Sequence, residues 1–160
     1  VFYNCTKLEY IETALSLKDL SRILKCGCPS LTRVIINDTT VTDDVAQTFP
    51  NVTYYIQSGK APSAAAISKY GLSANVIVNG CNLAEDGSIA SITVSEGSIS
   101  NYVEGKTINP PQKSGYTFGG WVTYDGSGNI DKTYASAVEL ISLPAGTTVY
   151  AHWIKAEQNK

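Results

Sequence analysis

The stretch from Gly115 to Trp121 reads G-Y-T-F-G-G-W, and it constrains the fold more than any other part of the chain. There are only two tryptophans, and the second, Trp153, ends the segment T-V-Y-A-H-W. In that segment Val149, Ala151 and Trp153 alternate with Thr, Tyr and His, which is the period of a half-buried strand. Aromatic rings bury a large area per residue, and neighbouring glycines let strands approach closely. We therefore expect two strands that meet over a compact aromatic core.

Short runs of alternating apolar residues, such as Val76 and Val78, continue this β-pattern from residue 75 onward. The dipeptides Asp86-Gly87 and Glu96-Gly97 lie between such runs, and both are typical of hairpin turns. The order of these motifs resembles the internalin B-type (Listeria–Bacteroides) repeat, with which the chain is similar over roughly residues 88–153. The resemblance implies a small β-grasp-like domain over residues 75–155. The matching structural positions are Gly105, Ile108, Pro111, Gly115, Tyr116, Phe118, Gly120, Trp121, Val149, Tyr150, Ala151 and Trp153.

Residues 1–57 contain a repeat, in which the segment from Cys5 to Ile11 aligns with the segment from Cys28 to Val34, 23 residues later. A third, shorter copy spans residues 51–56. The pattern L-x-x-L-x-L at residues 31–36 is typical of leucine-rich repeats. Between the copies, helix-spaced apolar residues predict helices on the convex side, one from Leu15 to Leu24 and one from Val41 to Phe49.

The first copy, residues 2–11, resembles the F-x-x-C-x-x-L-x-x-I unit of BspA-type leucine-rich repeats of bacterial surface proteins. This resemblance implies the C-terminal end of a repeat array, with further repeats upstream in the full protein.

Residues 58–74 are expected to form a linker or a short helix. We favour the helix because Ile67 and Tyr70 give it an apolar edge. Pro62 would lie in its first turn, and Gly71 would end it. The predicted fold class is α+β: a short leucine-rich repeat segment followed by a β-grasp-like domain.

Composition excludes several function classes. Lys and Arg number 12 against 14 Asp and Glu, without a basic run, so the footprint of a nucleic-acid binder is missing. No apolar stretch approaches the ~18–20 residues that a membrane span needs. Few charges beside many Ser, Thr, Asn, Gly and Tyr are common in secreted β-proteins. The four cysteines could pair in three ways, and we favour mostly free, buried thiols.

Candidate catalytic and metal-binding groups each have a simpler structural interpretation. The single histidine, His152, lies on a strand without a nucleophile or orienting acid nearby in the sequence. The loop from Asp125 to Asp131 begins like a calcium loop but has Ile and Ser where an EF-hand needs Gly and Glu, which favours a hairpin tip. The remaining candidates are predicted to be structural: Cys26-Gly27-Cys28 as repeat cysteines, Asp43-Asp44 as a helix start, and Glu85-Asp86 as a turn. We predict no catalytic residue, metal or cofactor.

The best binding candidate is the concave face of the repeats. Its outward positions are Tyr10 and Glu12, Arg33 and Ile35, and Tyr54 and Ile56. Strands in a sheet lie about 4.8 Å apart, so Tyr10, Arg33 and Tyr54 are expected to form one aromatic–cationic row. The alternative is an ordinary exposed face, or a face covered by the neighbouring domain.

The expected function is that of a non-catalytic module of a cell-surface, cell-wall or secreted protein. It would mediate adhesion or protein binding through the repeats, with the β-grasp-like repeat as spacer or second contact. The expected partner is a protein or glycan on a host or neighbouring cell. The alternative is a carbohydrate-binding or ancillary module of a larger extracellular enzyme.

Overall fold

The computed structural model describes residues 7, 10–16, 30–38, 52–59, 62–69, 75–95 and 98–156. In this part the protein is mostly β, with one mixed sheet and two short helices. The strands are β1 (Tyr10–Ser16), β2 (Arg33–Asp38), β3 (Thr53–Gln57), β4 (Ile77–Leu83), β5 (Ile89–Thr93), β6 (Ile99–Ser100), β7 (Tyr116–Tyr124), β8 (Ile130–Tyr134) and β9 (Thr148–Lys155). The helices are α1 (Ala64–Lys69) and a 3-10 helix, η1 (Ala137–Ser142).

The sheet runs in the order β1-β2-β3-β4-β5-β9-β7-β8, and β6 pairs with β4 outside this path. Strands β1 to β4 are parallel, whereas all pairs from β4 to β8 are antiparallel. Antiparallel neighbours can be joined by tight turns, whereas parallel neighbours need longer crossovers. Tight hairpins accordingly join β4 to β5 and β7 to β8 in the antiparallel half, and β4 belongs to both halves of the sheet.

In the parallel half, β1 and β2 pair at the predicted repeat interval. Tyr10 pairs with Arg33, 23 residues later, and Arg33 pairs with Thr53. Residues 17–29 and 39–51, between these strands, lie outside the described residues, so a leucine-rich repeat solenoid is not shown. Leu15 lies in β1 and pairs with Ile36, so the prediction of a helix beginning at Leu15 was wrong. Leu15 fits the helical spacing of the apolar residues that follow it, but its parallel pairing with Ile36 extends β1 to include it.

A hairpin joins β4 to β5 at the predicted Asp86-Gly87 turn. The Gly87 N–H donates to the Ala84 carbonyl at 3.0 Å, and the Asp86 carboxylate accepts from the Ser88 N–H at 2.9 Å. Gly87 has a φ of 87°, which glycine adopts without steric cost. This turn is confirmed, while Glu96-Gly97 lies outside the described residues.

The helix α1 occupies part of the segment predicted as a linker or short helix. The Ser63 hydroxyl accepts from the Ala66 N–H at 3.1 Å, so Ser63 begins the helix and Pro62 precedes its first turn. Ala66 is its buried residue, and Ile67 is only half-buried. Gly71 and Tyr70 lie outside the described residues.

Neither α1 nor η1, the helices of the described part, is long enough to cross a bilayer.

The aromatic core is present where the sequence predicts it. Trp121 is 1% exposed, and Phe118 contacts the rings of Trp121 and Trp153 at centroid distances of 5.1 and 5.4 Å. Both contacts are edge-to-face, the favourable geometry for aromatic pairs. The indole N–H of Trp153 donates to the Ile89 carbonyl at 3.0 Å, which ties β9 to β5. The two tryptophans therefore have structural roles.

A bulge shapes β7 between its aromatic residues. Phe118 pairs with Trp153 and Trp121 pairs with Ala151, so β7 carries one residue more than β9 over this stretch. Gly120 sits in the bulge with a φ of 101°, where a side chain would be strained. The glycines of the motif thus let Phe118 and Trp121 both reach the core.

Candidate functional site

The predicted concave row is not formed as expected. Arg33 pairs with Thr53, and Tyr54 pairs with Val34, so Tyr54 lies one position out of the row and on the opposite face. The second and third copies are separated by 20 residues at this register, whereas the row required 21. The prediction that Tyr54 stands beside Arg33 was therefore wrong.

Three of the four predicted partner-binding side chains that the structure describes are buried. Ile35, Tyr54 and Ile56 are buried, and Arg33 is half-buried. The side chains of Tyr10 and Glu12 lie outside the described residues, although both positions are in β1. At β2 and β3 the face therefore does not offer the aromatic–cationic surface that the sequence pattern predicted.

The reason is that downstream residues cover this face at β2 and β3. Ile35 and Tyr55 belong to the same buried cluster as Trp121. The Tyr55 hydroxyl donates to the Asn109 carbonyl, and the Asn109 side-chain amide donates to the Thr32 carbonyl at 3.1 Å. The Asn109 N–H also donates to the Thr53 hydroxyl at 3.0 Å. The alternative of a covered face is thus the one observed at β2 and β3.

The titratable groups buried in this region are held neutral. Burial raises the pKa of the Tyr54 and Tyr55 hydroxyls and of the Cys81 thiol. Cys81 is a free, buried cysteine, and its thiol points to the Val78 carbonyl at 3.5 Å. The other three cysteines lie outside the described residues. A thiol protonated at neutral pH is a poor nucleophile, so Cys81 has a packing role.

Other polar candidates take part in local turns. The Asp125 carboxylate accepts from the N–H groups of Ser127 and Asn129 at 2.8 and 3.0 Å, as expected for a hairpin tip. Hydrogen bonds from Ser88 hold the pKa of the Asp86 carboxyl below its usual value, and the Lys113 ammonium lies 3.4 Å away. Cys26-Gly27-Cys28 and Asp43-Asp44 lie outside the described residues.

A different surface emerges on the outer side of the antiparallel half. Directly paired residues share a face of a sheet, and the registers place Asn82, Ser91, Tyr150, Val122 and Thr133 in one row across five strands. This row lies on the side opposite the core, since Trp121 and Ala151 alternate with Val122 and Tyr150. We call this surface, with Thr93 and Tyr124 beside the row, the tyrosine face.

Two tyrosines dominate the tyrosine face. The rings of Tyr124 and Tyr150 lie 5.4 Å apart at an interplanar angle of 56°, and the residues are 46% and 42% exposed. Val122, next to Tyr150, is fully buried. Ile154, two residues beyond His152 on the same side of β9, is 48% exposed. The paired strands thus hold two exposed tyrosine rings side by side, next to the buried Val122.

The other end of the tyrosine face is polar. The Asn82 side-chain amide donates to the hydroxyls of Ser91 and Thr93, both at 3.1 Å. Ser91 pairs directly with Tyr150, so the hydroxyls adjoin the aromatic pair. A fixed amide next to two hydroxyls and two exposed phenol rings offers both hydrogen bonding and ring stacking. No side chain in the row carries a charge at neutral pH.

Close packing fixes β9 against β7 at the edge of this face. A Cβ added to Gly119 would lie 2.8 Å from Ile154 Cδ1 and 3.1 Å from His152 Nδ1. Both side chains therefore lie over Gly119, and a Cβ at this position would require the Ile154 side chain to move. His152 is half-buried in this packing.

The sequence pattern predicts the orientation of Tyr150 but not the residues that surround it. Alternation in residues 148–153 places Tyr150 opposite Trp153, although Tyr150 was assigned only a structural role in the motif. The meeting of Tyr150 with Tyr124, and of both with Asn82 and Ser91, depends on the order β4-β5-β9-β7, which alternation does not reveal.

Comparisons of the chain with protein-family models, with curated proteins and with solved structures found no match. We therefore infer function from the geometry of the tyrosine face and from the arrangement of the strands.

Proposed function

We propose that the chain is a non-catalytic module of a cell-surface or secreted protein and mediates adhesion by binding an extracellular partner. The observation that carries this proposal is the exposed Tyr124–Tyr150 pair on rigid strands. Tyrosine is a preferred interface anchor because its large ring has few rotatable bonds and loses little entropy on binding. Exposed aromatic side chains grouped together on one face also mark interaction sites.

The proposed family context is an array of BspA-type leucine-rich repeats that ends in an internalin B-type, β-grasp-like repeat. Two observations support it: the parallel pairing of Tyr10 with Arg33 at the repeat interval, and the aromatic contacts within the motif at Phe118, Trp121 and Trp153. Extracellular, cell-surface or cell-wall localisation is part of the same proposal.

In this proposal the two halves of the sheet have different tasks. The parallel strands extend the array, and downstream residues close its face at β2 and β3. The domain predicted as a spacer or second contact then presents the principal binding surface. Tyr10 and Glu12, both on β1, stay predicted contributors to a second contact, whereas Arg33 is half-buried on β2, where the face is covered.

A second candidate function is a carbohydrate-binding or ancillary module of a larger extracellular enzyme. The tyrosine face favours this candidate as well, since exposed rings beside amide and hydroxyl groups suit a sugar. The two candidates differ in what the rest of the full protein does.

Adhesion is tested by coating beads with the chain and counting their attachment to cultured cells and to extracellular matrix. We expect attachment above that of albumin-coated beads, and a strong decrease for the double variant Tyr124→Ala/Tyr150→Ala. Tyr116→Ala is the matched control, because Tyr116 is 37% exposed on β7 but pairs with Lys155, away from the tyrosine face. Attachment no better than albumin, or equal attachment by the double variant, would contradict the proposal.

A further inference from the structure

We propose that the tyrosine face binds a neutral glycan, an uncharged saccharide chain that lies across the strands. This inference rests on the proposed adhesive function and names the class of its partner. It follows from three properties of the face: the paired rings, the fixed polar groups beside them, and the absence of charge along the row.

The paired rings match the apolar side of a sugar. A pyranose ring exposes C–H groups on its flat faces, and these pack against aromatic rings as other apolar groups do. Tyr124 and Tyr150 are tilted by 56° to each other, so they form a shallow, angled platform and not a flat stack. Such a platform fits two consecutive sugar rings of a twisted chain.

The polar end matches the hydroxyl rim of a sugar. Asn82 Nδ2 already donates to Ser91 Oγ and Thr93 Oγ1, which leaves the proton of each hydroxyl directed elsewhere. Ser91 is buried and Thr93 is half-buried, so the Thr93 hydroxyl is the one placed to donate to a sugar oxygen near Tyr150. Because the amide fixes the hydroxyls in advance, little side-chain entropy is lost on binding.

The charge pattern selects a neutral ligand. Lys132 and Lys155 pair with Thr123 and Tyr116, and alternation places these pairs on the side opposite Val122 and Tyr150. Asp131 is exposed in the bulge of β8, between the residues that pair with Tyr124 and Thr123, and its negative charge disfavours an acidic ligand. An acidic sugar or peptide would find no counter-charge along the row from Asn82 to Thr133. Its desolvation would be uncompensated, whereas a neutral hydroxyl rim finds partners.

The dimensions favour a chain over a single sugar. The row crosses five strands, and adjacent strands lie about 4.8 Å apart, so it extends roughly 19 Å. The rings occupy one part of this length and the hydroxyls the neighbouring part. An oligosaccharide contacts both, and a monosaccharide contacts only one.

The test is a panel of immobilised oligosaccharides, both neutral (glucans, xylans and mannans) and acidic (sialylated, sulfated and uronic-acid chains). We expect binding to at least one neutral chain and to none of the acidic chains. Calorimetry with the bound neutral chain then compares variants. Tyr124→Ala and Tyr150→Ala are each expected to weaken affinity about tenfold or more, as for truncated anchor residues, and Tyr116→Ala to leave it unchanged.

A measurement on the unmodified chain covers the case in which a variant does not fold. Tetranitromethane nitrates exposed tyrosines, and peptide mapping reports each site. A saturating neutral oligosaccharide is expected to protect Tyr124 and Tyr150 but not Tyr116.

Three outcomes would overturn the inference: no neutral chain binds, an acidic chain is preferred, or protection is absent from both tyrosines of the face. If beads still attach to cells through Tyr124 and Tyr150, and protease treatment of the cells abolishes attachment, the partner is a protein. The neutral-glycan inference then fails while the adhesive function stands.

Discussion

Replacing Asn109 by alanine tests whether the parallel half and the aromatic core unfold as one unit. Asn109 lies 77 residues beyond Thr32, and its side-chain amide donates to the Thr32 carbonyl at 3.1 Å. The same amide donates to the Thr53 hydroxyl at 3.3 Å, and both bonds are lost in the variant. The backbone N–H of residue 109 keeps its bond to Thr53, so the chain path is retained.

The size of the effect follows from these two bonds. A typical intramolecular hydrogen bond contributes about 0.5–1.5 kcal/mol to stability, and the 3.3 Å bond belongs at the lower end. We therefore expect Asn109→Ala to lower the free energy of unfolding by about 2 kcal/mol. For a chain of this size that corresponds to a decrease in Tm of roughly 4–8 °C.

The assay is urea unfolding followed by two probes. Fluorescence reports Trp121 and Trp153, which lie in the aromatic core, and far-ultraviolet circular dichroism reports the whole sheet. Because Ile35 and Tyr55 share a buried cluster with Trp121, both probes should shift together. Asn129→Ala is the matched control: Asn129 is exposed at a hairpin tip, and the expected change is within about 0.5 kcal/mol.

Two results would refute this reasoning. In the first, Asn109→Ala changes stability no more than Asn129→Ala does. In the second, the circular dichroism transition of Asn109→Ala moves while the fluorescence transition stays, which would mean that the parallel strands unfold separately from the aromatic core.

Three further predictions concern single positions. Trp153→Phe removes the indole bond to the Ile89 carbonyl and should cost at least about 1 kcal/mol in thermal unfolding; no change would show that this bond contributes nothing. Gly80→Ala should destabilise by about 1–3 kcal/mol, because Gly80 has a φ of 81° and an added Cβ would lie 2.6 Å from a carbonyl on β5; Gly126→Ala, with open space, is the control, and equal stabilities would contradict the prediction. Burial raises the pKa of the Cys81 thiol, so its contribution is complete below the unfolded-state pKa of about 8.5 and declines as pH rises above it. Urea titrations from pH 8 to 10 should therefore show a shallower loss of stability for Cys81→Ala than for the parent chain, and parallel curves would rule out this linkage.

Contacts that cover the sheet at β2 and β3 also join the parallel strands to the half that carries the tyrosine face. Tyr55 and Asn109 are 54 positions apart in the sequence, and the hydrogen bond between them forms only once both halves of the sheet have folded. The tyrosine face lies on the antiparallel strands of the same sheet. Its orientation relative to the parallel strands is therefore fixed by the pairing of β3, β4 and β5, and not by a flexible linker.

Elements whose signal lies within a few residues could be predicted from the amino-acid sequence. The Asp86-Gly87 turn, the short helix after Ser63 and the strand that contains Trp153 each follow from dihedral preferences, capping or alternation within a few residues. The repeat interval likewise predicted the pairing of Tyr10 with Arg33, because equal spacing places equivalent residues side by side.

Which faces of the sheet are open depends on long-range packing, which the sequence patterns did not reveal. A one-residue difference in spacing moved Tyr54 to the opposite face, since side chains alternate along a strand and a single slip inverts them. The covering of Ile35 by downstream residues and the meeting of Tyr124 with Tyr150 depend on strand order. Strand order is set by the packing of distant segments around one core, and no pattern within a single segment records that choice.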